Sequence, residues 1–456
     1  MKYTLALAML LAPVLSVQAD TVKIHEHQLT NGLKLLVKED HRSPVVVSQV
    51  WYKVGASYEP GGITGISHML EHMMFKGTHQ YPAGEFSRII AENGGQENAF
   101  TGSDYTAYFQ TMEKSKLEIS FKLEADRMRN LDLKAEELEK ELQVVTEERR
   151  MRTDDQPRSK TQEQFNAVAF TNSPYRNPVI GWPDDIANYK VEDLQAWYQK
   201  WYAPNNATLV VVGDVETQQV VKLAEQYFAE LKPSEIKPIK PQQEQEQVGL
   251  RKLTVKAPAK LPYLMMGYKV PVLNTAKPES EAYALEVLSA ILDGGNSSRL
   301  SAHLVRGKQL AVSVGAGYDF NSRLPELLLL EATPAEGKTV FDLEYALREE
   351  IDALKTELVS ADELARVKAQ VLAHDIYQKD SNFYQAMELG MLETNGLGWQ
   401  KAGEYVAKVN QVTAEQIREV ARKYLIEDHL TIAYLDPQPI TEAAKPAKLI
   451  GGHHAF

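Results

Sequence analysis

Residues 68–72 read His68-Met69-Leu70-Glu71-His72. On a helix, positions i, i+3 and i+4 share one face, so the two imidazoles and the carboxylate between them point the same way. Two neutral imidazole nitrogens suit Zn²⁺, a carboxylate from elsewhere can be the third ligand, and Glu71 is left to take a proton from water. The spacing is the reverse of the commoner His-Glu-x-x-His arrangement. A pentapeptide of this kind can also arise by chance among 11 histidines, so its surroundings carry the decision. Gly61-Gly62-Ile63-Thr64-Gly65-Ile66-Ser67 precedes it, a loop that offers Thr64 or Ser67 as helix N-cap. Ile66, Met69, Leu70, Met73 and Phe75 give the helix an apolar body. A buried polar stripe on such a helix has to be satisfied by something, and a shared cation does that.

A third ligand is expected from another rigid element. Residues 133–152, LKAEELEKELQVVTEERRMR, are rich in helix formers, with Leu138, Leu142, Val145 and Met151 as an apolar stripe. Glu141 and Glu148 lie about two turns apart on one side of it. Taken alone, a Glu-rich helix reads equally well as a solvated face. Asn98-Ala99-Phe100-Thr101 stands before the alternating run Tyr105-Thr106-Ala107-Tyr108-Phe109, which reads as a strand entered through a Gly-rich turn. A strand beside a metal site can bind an extended peptide by edge addition, through backbone hydrogen bonds that ignore side-chain identity. The plainer alternative is an Asn98 that caps a turn.

These residues resemble the pitrilysin or insulinase family of zinc metallopeptidases (inverzincins), in the branch of short chains related to mitochondrial processing peptidase and bacterial two-subunit zinc proteases. In that family the inverted motif is followed some 75 residues later by Glu-x6-Glu; here Glu141 and Glu148 fit, with Glu148 falling 76 residues after His72. The resemblance implies one Zn²⁺ per chain held by His68, His72 and Glu148, with Glu141 supporting the site from behind and Glu147 as rival ligand should the register slip by one. It implies Glu71 as the catalytic base, and Asn98, Ala99, Phe100 and Thr101 as the strand that binds the substrate backbone. Further matching blocks are Asn31-Gly32-Leu33, Val54-Gly55-Ala56-Ser57, Gly94-Gly95-Gln96-Glu97, Ser173-Pro174-Tyr175-Arg176-Asn177-Pro178, Tyr202-Ala203-Pro204-Asn205-Asn206, Gly295-Asn296-Ser297-Ser298-Arg299-Leu300 and Ala421-Arg422-Lys423-Tyr424-Leu425. Nearly the whole mature chain is covered.

A chain of 456 residues is too long for one core. Residues 233–248, PSEIKPIKPQQEQEQV, have the composition of a linker between halves at 20–232 and 249–440. Each half closes alike, with an amphipathic helix, a Tyr and a strand: Tyr202-Ala-Pro-Asn-Asn-Ala-Thr-Leu-Val-Val-Val and Tyr424-Leu-Ile-Glu-Asp-His-Leu-Thr-Ile-Ala-Tyr. Two degenerate copies of one α+β unit are the simplest account. The family's fold agrees, implying two homologous α/β-sandwich domains, each a sheet with helices on one face. The first is the zinc-binding catalytic domain; the second lacks a metal site.

Residues 1–19 read as a secretory signal peptide: Lys2, an apolar run from Leu5 to Val17, and cleavage after Val17-Gln18-Ala19. The run is too short for a membrane span, which implies a periplasmic protein of a Gram-negative bacterium. With no Cys, disulfides and thiolate ligands are excluded. Loss of Lys2 takes the formal charge from −12 to −13, which argues against nucleic-acid binding and is compatible with basic peptides. His25 and His27 alternate along an apparent edge strand, His79 sits in a loop, and His453 and His454 belong to the tail at 441–456.

One departure from the family bears on partners. Members that work alone, and the helper subunits of two-chain members, carry an Arg followed seven residues later by a Tyr, a pair that binds substrate backbone and stabilises the oxyanion. In Leu304-Val305-Arg306-Gly307-Lys308-Gln309-Leu310-Ala311-Val312-Ser313 those positions are Val305 and Val312, with Arg306 and Tyr318 as substitutes under a shifted register. The expectation is a zinc endopeptidase that hydrolyses peptides or unfolded segments in an enclosed chamber, as the catalytic subunit of a heterodimer with a homologous zinc-less chain that brings Arg and Tyr. Alternatives are a self-sufficient homodimer or larger homo-oligomer, and a non-catalytic zinc-stabilised assembly subunit, for which an intact Glu71 has no use.

Overall fold

A computed structural model describes residues 23–440 except 238 and 241. The signal-peptide reading and the tail histidines therefore lie outside the described residues. The described residues form eleven strands: β1 (Ile24–Gln28), β2 (Lys34–Glu39), β3 (Val45–Tyr52), β4 (Gln96–Thr101), β5 (Thr106–Glu113), β6 (Ala207–Gly213), β7 (Arg251–Pro258), β8 (Tyr263–Val270), β9 (Ala311–Gly317), β10 (Glu326–Pro334) and β11 (Leu430–Gln438). They make two sheets, ordered β1-β2-β6-β3-β5-β4 and β7-β11-β8-β10-β9. Set aside β1 and the orders coincide. In each sheet the first and last strands of the repeat run parallel, β2 with β6 and β7 with β11, and every other pairing is antiparallel. The repeat read from the two closing segments is thus a repeat of topology, in an α+β fold.

The alternation of side chains along a strand assigns each sheet two faces, and both are buried. On β6, Leu209 and Val211 enter the main core of the first half, where the helices Ile66–Met73, Leu117–Asn130, Val191–Trp201 and Thr217–Phe228 pack. Val210 and Val212 face the other way, with Leu36, Val47, Trp51 and Ala107. Burial on both faces explains why β6 reads as an unbroken apolar run.

Each half packs its own helices on one face, and the second face is covered from the other half. The helix Asn382–Thr394, from the second half, lies on the first sheet with Ala386 and Leu389 against Trp51 and Val210. Reciprocally the helix Pro157–Ala169, from the first half, lies on the second sheet, where Phe165 and Ala169 meet Met265, Ala433 and Leu435. Each half supplies the cover of the other. Contact is close enough to require glycine on both sides: a Cβ on Gly390 would fall 2.2 Å from the Trp51 ring, and one on Gly267 would fall 2.7 Å from Phe165. Trp51 is fully buried, so truncating it to Ala would cost about 3–5 kcal/mol.

The described residues of 233–248 form neither helix nor strand, yet they are anchored near their end. Glu244 accepts the backbone N–H groups of Thr171, Asn172 and Ser173 and pairs with Lys269 at 2.5 Å. Among the described residues no helix is long and apolar enough to cross a membrane.

Candidate metal centre

The motif helix spans Ile66–Met73 and all eight of its residues are buried. Its start differs from the expected Thr64 or Ser67 cap. The N-cap is Gly65, in the left-handed region at φ +86°, and no side chain of the cap position accepts a hydrogen bond. Instead Glu59 reaches across, its two oxygens accepting Gly65 N–H at 2.6 Å and Ser67 N–H at 2.8 Å. A carboxylate at a helix N-terminus also meets the positive end of the dipole. Thr64 is otherwise engaged, donating to Asp185 at 2.5 Å and accepting Trp182 N–H at 3.0 Å.

The carboxylate helix runs Ala135–Arg149 and widens into a π turn over Arg150–Asp154. Leu138 and Val145 are buried as expected, whereas Met151 stands 41 % exposed beyond the last helical turn. The helix delivers both glutamates to the motif. Glu148 Oε2 lies 3.3 Å from His72 Nε2 and 3.7 Å from His68 Nε2. The three ligand atoms lie within 4.8 Å of one another, and no other group of three potential ligands meets that condition among the described residues. Donors bound to one ion at about 2.0–2.1 Å in tetrahedral geometry stand about 3.3–3.4 Å apart, so two imidazoles and one carboxylate in this arrangement fit Zn²⁺ with one position left over. Glu147 does not compete: its side chain is 58 % exposed and pairs with Arg150 at 2.9 Å.

The supports of this trio are specific. Glu141 Oε2 sits 3.1 Å from His72 Nδ1, which leaves Nε2 as the nitrogen aimed at the cluster, and its other oxygen pairs with Lys76. Arg152 Nη1 holds Glu148 Oε1 at 2.8 Å, so Oε2 alone is presented. Such outer partners set ligand orientation and basicity. Burial favours a neutral His72, but its hydrogen bonds to Glu141 and Glu148 outweigh burial and lift it to about 9. Burial would likewise raise Glu148, yet the hydrogen bond to His72 and the nearby His68 and Arg152 hold it at about 2. A proton on His72 and a divalent ion are therefore competitors for one negatively charged cluster.

Glu71, on the same stripe, stands apart from the trio. Burial pushes its carboxyl up to about 7, against the pull of Thr101, whose hydroxyl donates to Glu71 Oε2 at 2.5 Å. A carboxyl tuned toward neutrality is suited to exchange protons at neutral pH. Asn98, Ala99, Phe100 and Thr101 all lie on β4, which pairs with β5 on one side and forms the edge of the first sheet. Asn98 Oδ1 accepts the N–H of the next residue, Ala99, at 2.8 Å. All four line a cavity of about 500 Å³ together with His68, Glu71, His72 and Glu148. Sequence reasoning missed the opposite wall, made of Ser159, Gln162 and Asn166 from the Pro157–Ala169 helix and of Arg176. That helix is only weakly amphipathic and its buried Phe165 and Ala169 serve the other half, so no local pattern places it here.

The remaining residues singled out earlier fall elsewhere. His25 and His27 lie on β1, the opposite edge of the sheet, and His79 is 89 % exposed with Asp132 at 3.5 Å. In the second half Val305 is half-buried and Val312 is 61 % exposed on β9. Arg306 donates to Ser301 and the Tyr318 hydroxyl to the Pro271 carbonyl at 2.6 Å, so each is engaged within its own neighbourhood.

Comparison with known proteins places this geometry. Residues 34–182 match the family model described as insulinase (peptidase family M16), and residues 188–371 match that described as the peptidase M16 inactive domain. The zinc protease PqqE of Helicobacter pylori is 33 % identical over 418 residues, covering 90 % of this chain and 92 % of that protein. An uncharacterized zinc protease of Bacillus subtilis, YmxG, is 27 % identical over 91 % of this chain and 98 % of its own length. Among solved structures, a protease from Helicobacter pylori superposes with a TM-score of 0.86 at 31 % identity, over 91 % of this chain and all of that one. The first half of the periplasmic protease PqqL from Escherichia coli shares the fold, with a TM-score of 0.77 at 19 % identity over 91 % of this chain and 92 % of that one. The chain belongs to the insulinase family of peptidases, family M16.

Proposed function

We propose that this chain is a zinc-dependent endopeptidase, with one Zn²⁺ held by His68, His72 and Glu148. The convergence of those three side chains from two helices, with Glu71 on the same stripe as the imidazoles, carries the reading. A zinc ion at that place supplies Lewis acidity toward water and toward the scissile carbonyl. The protein's own residues do the rest. β4 offers an unpaired strand edge along which an extended peptide can lie. Thr101 fixes the Glu71 carboxylate, which takes the proton of the attacking water and returns it to the departing amine. Burial of Glu71 removes competing solvent from that exchange and keeps its affinity for the proton near that of neutral solution.

The partner reading rests on Val305, in the turn Ser301–Gly307, and on Val312, on β9. At the two positions where the family's substrate-binding Arg and Tyr are expected stand Val305 and Val312, and neither can donate a hydrogen bond. A homologous zinc-less chain would bring that pair, closing a chamber over unfolded peptide. The leader-like N-terminus supports a periplasmic location, the compartment named for the Escherichia coli protease PqqL.

The test is zinc content and cleavage of an unstructured peptide, measured for the chain alone and after addition of a zinc-less homologue. Hydrolysis that appears only with the homologue supports the two-subunit enzyme. Full hydrolysis by the chain alone removes the partner, and zinc without hydrolysis in either case removes the peptidase.

A further inference from the structure

The active-site strand is tied to the metal-free half through one buried carboxylate. β4 and β5 join through residues 102–105, with Thr101 opposite Thr106 and Gly102 N–H bonded to Tyr105 O at 2.8 Å. In the middle of that turn Asp104 is 3 % exposed. Its Oδ1 accepts the Ser57 hydroxyl at 2.5 Å and Arg323 Nε at 2.9 Å. Its Oδ2 accepts the Tyr175 hydroxyl and, at 3.3 Å, the backbone N–H of Arg323. Arg323 Nη2 donates to Ser57 Oγ at 2.7 Å, and its guanidinium lies 4.6 Å from the Tyr58 ring centre. Tyr175 in turn accepts the N–H groups of Arg323 and Leu324, both at 3.1 Å.

Ser57, Asp104 and Tyr175 belong to the first half; Arg323 comes from the loop before β10 in the second. The network thus ties two segments that run on into the cavity lining, β4 through its turn and Arg176 through Tyr175, to the second half. Ser57 and Ala56 bond the turn directly, through Ser103 O at 2.7 Å and Gly102 O at 3.2 Å. Tyr175 is next to Arg176, which lines the cavity wall facing β4. A buried carboxylate with both oxygens engaged, paired with a half-buried guanidinium, favours one geometry, because displacing the partner strands the carboxylate's charge away from water. An edge strand lacks the second ladder that would otherwise fix it, so the end of β4 depends on its turn.

We propose that Arg323 is a positioning residue for the peptide-binding strand: through Asp104 the metal-free half sets where β4 lies relative to Glu71 and to the opposite cavity wall. The inference rests on the peptidase reading for its kinetic consequence and on geometry alone for the coupling. Contacts along β4 act on a bound peptide over several residues, whereas Glu71 is also held by its own buried helix. Loss of Arg323 therefore acts more on KM than on kcat.

The experiment compares Arg323→Ala and Arg323→Lys with the native chain in peptide-cleavage kinetics, zinc content and backbone amide exchange. Arg323→Ala should keep its zinc, raise KM by about tenfold with a smaller fall in kcat, and speed exchange at residues 98–105 by about tenfold while exchange in the motif helix stays unchanged. Arg323→Lys, which keeps the charge but not the fork, should recover part of both. Unchanged KM and unchanged exchange at 98–105 in a folded Arg323→Ala overturn the proposal, as does loss of zinc together with all activity. If Arg323→Ala does not fold, Tyr175→Phe, which removes one donor from Asp104, should give a smaller acceleration at the same residues, and none overturns the proposal. If the native chain cleaves nothing, with or without a homologue, the peptidase reading fails by itself and the exchange at 98–105 still decides the coupling.

Discussion

In the first half the helix that follows β3, Ile66–Met73, carries His68, Glu71 and His72 on one stripe. In the second half the helix that follows β8, Ser280–Asp293, buries Ala282, Ala284, Leu285, Val287, Leu288, Ile291 and Leu292 instead. Both sit on sheets of one strand order. The pairing of strands therefore does not depend on the polar stripe, and the stripe is a local burden that partners such as Glu141, Glu148 and Thr101 relieve. An unpaired buried His or Glu is costly, and the more apolar helix in the same place carries less of that cost, chiefly at Glu286, whose carboxyl burial pushes up to about 7. That difference isolates the chemistry of the molecule in a few residues grafted on a framework that both halves share.

The contrast can be broken at its strongest point with Glu71→Gln, which should leave zinc content unchanged and lower kcat by about 10²–10⁴-fold. Retained hydrolysis would move the proton to another residue. It can be sharpened by pH. With His72 near 9, zinc must displace a proton below that value, so affinity should rise about tenfold per pH unit from pH 7 until it levels near 9, with matching proton release in calorimetry. The ion-free chain should run the other way. The folded value of His72 exceeds its ordinary 6.5, so its contribution to stability is full below about 6.5 and is lost as pH rises through 9. A weaker perturbation is Glu141→Ala, which removes the partner of His72 Nδ1 and should cost about 10–100-fold in zinc affinity, read by competition with a chelating dye. The smallest change tests the framework rather than the site: Gly390→Ala should lower stability by about 1–3 kcal/mol through its clash with Trp51, seen as a shift in thermal midpoint with zinc affinity retained.

The site was legible in the sequence where its geometry is local. His68, Glu71 and His72 fall on one face by helical spacing alone, and the position of Glu148 relative to Glu141 followed from the same periodicity once the resemblance paired the two segments. Strand β5 followed from alternation, whereas the peptide-binding strand at 98–101 followed from the resemblance. The capping by Glu59 was not legible, because an acceptor six residues before Gly65 and across a turn leaves no spacing rule. Nor were the crossed helices. The Pro157–Ala169 and Asn382–Thr394 helices pack against strands more than 90 residues from at least one partner in sequence, and their own periodicity does not say which sheet they serve. Arg323 and Asp104 lie 219 residues apart and neither belongs to a motif.

The crossing of those two helices has a consequence for any attempt to divide the molecule. A polypeptide ending within 233–248 would keep the helix made for the missing sheet and lack the one its own sheet requires, leaving Leu36, Val47, Trp51 and Val212 against solvent. Two copies of such a fragment could repair this by trading helices about a twofold axis, as the halves do along one chain. Unlinking the halves would thus yield an entangled pair or an aggregate in place of an autonomous module.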